Sequence, residues 1–144
     1  MKDFQLDRRL AHDGILLGEL ELSLLLMMNN ALLPWFILVP RVTETELYRL
    51  SRSQQASLLH EINLISDFVQ TEFTCDKLNV ASIGNIVSQL HVHVVGRRLD
   101  DFCWPQVAWG RPERRAYTEA EIAHVSQRLQ LHLQGQFKPT DSNF

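Results

Sequence analysis

The sequence predicts an α+β fold, an antiparallel meander of about five strands with two main helices, from three observations. First, short apolar runs crowd between Ile15 and Val39 and are broken by Glu19, Glu21, Asn29, Asn30 and Pro34, as strands are and a continuous helix is not. Second, Leu58, Ile62, Ile65 and Val69 recur at i, i+4, i+7 and i+11, the spacing of one helical face. Third, two more short runs and then a capped helical segment follow, so the elements read β-β-α-β-β-α.

Element by element, Leu22–Met28 and Trp35–Val39 form an antiparallel pair turning through Asn29-Asn30 and Pro34. A short piece around Thr45 to Leu50 precedes the first long helix, for which Ser53 is the expected N-cap. Lys77–Ser82 and Leu90–Val95 are the next strands, joined through Gly84 and Asn85. Trp104 to Pro112 holds two prolines and a glycine and reads as irregular. The last helix, about 118–134, opens on Thr118 with Glu121 three residues on, a capping box, and aligns Ile122, Val125, Leu129 and Leu133. The tail after Gly135 is expected to be loose.

With 144 residues, 45% of them hydrophobic, the chain is long enough for one well-buried core and short for two, so residues 1–144 read as one domain. The net charge is −3 and there is no lysine- or arginine-rich run, which argues against a nucleic-acid partner. Local positive charge does gather in Arg97, Arg98, Arg111, Arg114 and Arg115, set against Asp100, Asp101 and Glu113, enough for a small phosphorylated ligand. Cys75 and Cys103 make neither a disulfide framework nor a Cys-x-x-Cys metal pair, so a reducing, cytoplasmic location is the simpler expectation. The acidic residues in Met1-Lys2-Asp3-Phe4-Gln5-Leu6-Asp7 do not suit a signal peptide, and no apolar run reaches the ~20 residues of a membrane span, so no membrane partner is expected.

Chemistry concentrates in Gln89-Leu90-His91-Val92-His93-Val94-Val95. At the period of a strand Gln89, His91 and His93 share one face, ~7 Å apart, while Leu90, Val92 and Val94 share the other. Two imidazoles and an amide in a row can meet one small anionic group. A neutral imidazole is nucleophilic near pH 7, provided its second nitrogen donates to a fixed acceptor such as a backbone carbonyl.

This stretch resembles the motif of the histidine-triad (HIT) family, His-x-His-x-His followed by two apolar residues, with Gln89 in place of the first histidine. Asn29-Asn30, Leu38-Val39-Pro40, Gly84-Asn85 and Trp104-Pro105 extend the likeness in order over roughly residues 15–110. The chain departs from it at Pro34-Trp35-Phe36, where many members have Pro-Gly-His, and at Ile86, where many have serine or threonine. The resemblance implies a HIT-like meander and hydrolysis or transfer at the α-phosphate of a purine nucleotide derivative, with no cofactor or metal and a homodimeric assembly. It also implies His91 as the nucleophile that forms a nucleotidyl-histidine intermediate, and His93 as the phosphate-contacting partner, which if cationic favours the phosphoryl oxygens. Gln89, which does not titrate, is a support for geometry. Asn30 and Asn85 are substrate-binding candidates through the resemblance, and Arg97 is a third, on a strand end. Trp104 and Trp109 are candidates for stacking against core or interface roles, Trp35 is assigned to packing, and His12, His60, His124 and His132 lack motif context. Two other classes of function stay open: a nucleotide-binding module with little or no turnover, and a metalloprotein with His91 and His93 as ligands.

Overall fold

A computed structural model describes residues 3–141. The chain opens with a short helix, α1 (Arg8–Asp13), whose N-cap Asp7 accepts a hydrogen bond from the Arg9 amide. Three strands follow, β1 (Gly14–Glu19), β2 (Ser23–Met28) and β3 (Trp35–Pro40), then the long helix α2 (Arg52–Phe73). After β4 (Lys77–Ala81) and β5 (Val92–Arg97) comes α3 (Glu119–Leu133), and the two-residue β6 (Lys138–Pro139) completes an antiparallel sheet of order β4-β5-β3-β2-β1-β6.

The α+β meander is as expected, with one strand more than about five. The addition is β6, where a loose tail was expected: Pro139 and Lys138 pair with Gly18 and Glu19 of β1. Residues 142–144, and Met1 and Lys2 of the acidic N-terminal stretch, lie outside the described residues. α2 is capped by Ser51 rather than Ser53, because the Ser51 hydroxyl and the Gln54 side chain exchange hydrogen bonds with each other's backbone N–H. The Thr118 and Glu121 box does cap α3. The last strand of the motif starts at Val92, two residues later than the apolar alternation suggests, and residues 82–91 are irregular.

The two faces of the sheet do different work. On one, Leu25, Met27, Phe36, Leu38 and Val94 pack beneath Ile65, Phe68 and Val69 of α2 and Val125 and Leu129 of α3. β5 comes so close to this layer that a Cβ on Gly96 would meet Cys75 Sγ and Pro34 Cγ, so a residue without a side chain is needed there. The other face presents Leu26, Trp35, Ile37, Val39 and Val95, covered by Leu10 of α1 and by Cys103 and Ala108 of the irregular segment after β5. No described helix is long and apolar enough to cross a membrane.

Candidate functional site

The second face opens into a cleft of ≈ 590 Å³ bordered by α1, the loop before β5 and the segment around residues 108–114. In the β3–β5 register Ile37 lies opposite His93 and Trp35 opposite Val95, so Trp35 and His93 are diagonal neighbours on the cleft side. His91 and His93 both line the cleft, their ring centroids 5.0 Å apart, and they are only 4% and 5% exposed. The alternation of the sequence therefore brings these two together as expected.

Their hydrogen bonds assign the tautomers. His91 Nδ1 lies 2.7 Å from the Gln89 carbonyl oxygen, which can only accept, so Nδ1 carries the proton and Nε2 keeps a lone pair. His93 Nδ1 lies 2.9 Å from Trp35 Nε1, and an indole N–H can only donate, so here Nδ1 holds the lone pair and Nε2 the proton. The rings are opposite tautomers, one with a free Nε2 lone pair and one with an Nε2–H. Burial, with His91 as a secondary cause, pushes the His93 pKa down to about 4. His93 is therefore neutral at pH 7 and presents an Nε2–H donor, so the condition of a cationic ring is not met. Trp35, expected only to pack, is the group that orients it. The Trp109 ring also stands edge-on to His93, with centroids 5.3 Å apart.

Gln89 does not join the row. Because the strand starts after it, its side chain leaves the cleft face: Oε1 accepts from the Asp7 amide and Nε2 donates to the Gln5 carbonyl, both at 2.8 Å. Its amide thus holds the N-terminal segment, whose helix α1 brings Arg8, Arg9 and His12 to the cleft, and Arg9 Nη1 reaches the Ile86 carbonyl at 2.8 Å. Only its backbone carbonyl meets His91. Gln89→Ala should consequently release the N-terminal segment from its seat beside the cleft. Hydrogen exchange should show the amides of residues 7–10 losing protection; unchanged exchange there would overturn this role.

Asn30 and Asn85 both line the cleft. Asn30 Oδ1 accepts from the amides of Leu32 and Arg115 and its Nδ2 donates to the Glu113 carbonyl, so its amide is committed to holding the 113–115 segment against the end of β2. Asn85 is exposed. Arg97, expected to bind substrate, does not line the cleft: it is 1% exposed, with its guanidinium bidentate on Asp101 and a further bond to Asn79 Oδ1. That correction follows from burial, since a buried guanidinium stays charged and is tolerated where a fixed carboxylate offsets its desolvation. The basic residues that do line the cleft are Arg8, Arg9, Arg111 and Arg114, with Asp13 as its single carboxylate. Asp7 before an arginine pair was the available signal for α1, but six residues are too few to display a period. Among the described residues no group of three His, Cys, Asp or Glu is placed to hold a metal ion.

The HIT domain family matches residues 9–100. No curated protein sequence matches the chain. A histidine triad protein of Marinobacter aquaeolei is 43% identical with a TM-score of 0.87, covering 92% of this chain and 98% of its own. Histidine triad proteins of Sinorhizobium meliloti and Bradyrhizobium japonicum are each 38% identical, with TM-scores of 0.87 and 0.86. The alignments cover 92% and 90% of this chain and 98% and 97% of those proteins.

Proposed function

The chain belongs to the HIT domain family, and on that premise we propose that it is a Gln-x-His-x-His enzyme that hydrolyses, or transfers from, the bond at the α-phosphate of a purine nucleotide derivative. The observation that carries this reading is the pair of opposite tautomers facing one cleft. His91 Nε2 attacks the α-phosphorus, forming an N–P bond as the bond to the leaving group breaks and its electron pair departs with that group. The Nδ1–H bond to the Gln89 carbonyl stabilises the positive charge the ring acquires. His93 Nε2–H donates to a phosphoryl oxygen, where charge develops in transfer. Asn85 and the arginines of the cleft bind the rest of the phosphate chain. Water then attacks phosphorus and releases His91 as neutral imidazole, its proton passing to solvent.

Replacement of the family's first histidine is compatible with this chemistry, because the acceptor that orients His91 is a main-chain atom that any residue at position 89 supplies. The test is mass spectrometry of protein incubated with a dinucleoside polyphosphate or a nucleotide amidate and quenched without acid. A nucleotidyl adduct on the peptide bearing His91 is expected. Bound nucleotide with no adduct and no turnover identifies a binding module instead and overturns the enzyme reading.

We also propose a homodimer, supported by Val80, Ile83 and Ile86, apolar side chains left exposed along and beyond edge strand β4. Light scattering should report twice the chain mass; a monomer at micromolar concentration would count against it.

A further inference from the structure

The hydrogen bond between Trp35 and His93 limits what His93 can do with a proton. A general acid must have one to give and must end as a stable species. Neutral His93 carries its proton on Nε2, and surrendering it would leave an imidazolate, because Nδ1 faces the Trp35 N–H and has no proton to exchange. Gaining a second proton requires Nδ1 to accept it where that N–H already points. Trp35 and Trp109 pack edge-on against the ring at 5.8 and 5.3 Å, so the site of protonation is walled by indoles. The burial that holds its pKa at about 4 acts in the same direction.

His91, the other buried imidazole of the cleft, does not replace it. His91 is the nucleophile of the proposed reaction, and its one proton is committed to the Gln89 carbonyl. His12 and Asp13 pair with each other at 3.0 Å, with side chains 87% and 53% exposed. The four arginines keep their protons across the working range. Arg111 is paired with Glu113 at 3.6 Å, and Arg9 is held on the Ile86 carbonyl. A leaving group beside His93 therefore meets several positive charges and no proton from His91 or His93.

We propose that Trp35 holds His93 as a neutral Nε2–H donor and thereby restricts this cleft to substrates whose leaving group departs as an anion, nucleotide phosphoanhydrides rather than phosphoramidates. This rests on the nucleotidyl-His91 reading. With an anhydride, His91 Nε2 bonds to the α-phosphorus, the bond from phosphorus to the bridging oxygen breaks, and the electron pair leaves on a phosphate oxygen that needs no proton. The arginines neutralise that product. With an amidate, the departing nitrogen must gain a proton as its bond to phosphorus breaks, and His93 has none to offer.

Two measurements on the whole protein test this. Histidine-selective nitrogen NMR of the wild-type chain should show His93 as the Nε2–H tautomer at pH 7, with no titration above pH ~5; a proton on Nδ1 at pH 7 overturns the proposal without any variant. Steady-state kinetics should favour diadenosine triphosphate over adenosine 5′-phosphoramidate by at least ~100-fold in kcat/KM, the scale of an absent general acid. Trp35→Phe removes the donor and keeps an aromatic ring. Its His93 Nδ1 is then free to take a proton, so His93 should titrate above the wild-type value while burial still holds it below ~6.5, and the gap between substrates should narrow by ~10-fold on the acid side of neutrality. If wild-type protein forms the His91 adduct yet cleaves the amidate as fast as the anhydride, the restriction is wrong while the nucleotidyl-transfer reading stands. If neither substrate yields an adduct, that reading fails and the restriction with it.

Discussion

His91→Ala should abolish the nucleotidyl adduct and lower turnover by about 10⁴-fold or more, because the buried imidazole with a free Nε2 lone pair is lost from the cleft. His93 cannot stand in, since its lone pair accepts from Trp35 and its cleft-facing nitrogen is protonated. Nucleotide affinity should change far less, because the arginines and Asn85 remain. Adduct mass and single-turnover kinetics measure the loss, and equilibrium titration of a non-hydrolysable nucleotide measures what persists. An adduct relocated to His93, or turnover within 10-fold of wild type, would make the assignment of the nucleophile untenable.

Arg97→Ala should destabilise the protein by about 3–5 kcal/mol, the cost of leaving a buried carboxylate without its counter-ion. The side chains of Arg97 and Asp101 are 1% and 3% exposed and joined by two hydrogen bonds of 2.8 and 3.1 Å. Arg97 also reaches Asn79 Oδ1 and lies over Trp104, its guanidinium carbon 5.5 Å from the ring centroid. The pair fastens the start of the segment that later delivers Trp109, Arg111 and Arg114 to the cleft, so activity should fall with stability. Urea denaturation should show a lower midpoint with an unchanged slope, and a loss under 1 kcal/mol would contradict the account.

The same pair sets part of the acid limit. Burial alone would raise the Asp101 carboxyl, but the Arg97 guanidinium and the amides of Arg98 and Cys103 outweigh it and hold the pKa at about 2. A folded pKa below the unfolded ~3.9 means that the unfolded chain binds more protons, so this contribution is complete above pH ~4 and is lost as pH falls toward 2. Its size is about 2 kcal/mol. His93 adds a loss of the same sign at higher pH. Held neutral to about 4, it is protonated in the unfolded chain below ~6.5, so stability falls between those values. Stability measured against pH should decline in two stages, and Arg97→Ala should flatten the lower one.

His91 and His93 were legible as a pair because they stand two positions apart in an alternating run, although only His93 lies within β5 and His91 ends the irregular stretch before it. Gln89 was misplaced by the same alternation. Period-2 reasoning holds only inside a strand, and the chain is irregular through residue 91. Ser51 was recoverable, since Ser51-Arg52-Ser53-Gln54 spells a capping box that starts two residues before Ser53. β6 was not, because two residues paired with a strand more than a hundred positions away leave no local pattern.

By itself the amino-acid order determined the α+β class, the two long helices and the histidine pair, since these follow from periods of 2 and 3.6 and from capping chemistry that neighbours in sequence supply. Only the tertiary structure decided which proton each imidazole carries, because Trp35 and His93 lie 58 positions apart and meet across β3 and β5. It likewise turned Arg97 inward onto Asp101 and put Arg8 and Arg9 at the cleft. Protonation, burial and charge placement depend on what packs against a group, and in this protein the deciding partners are distant in sequence.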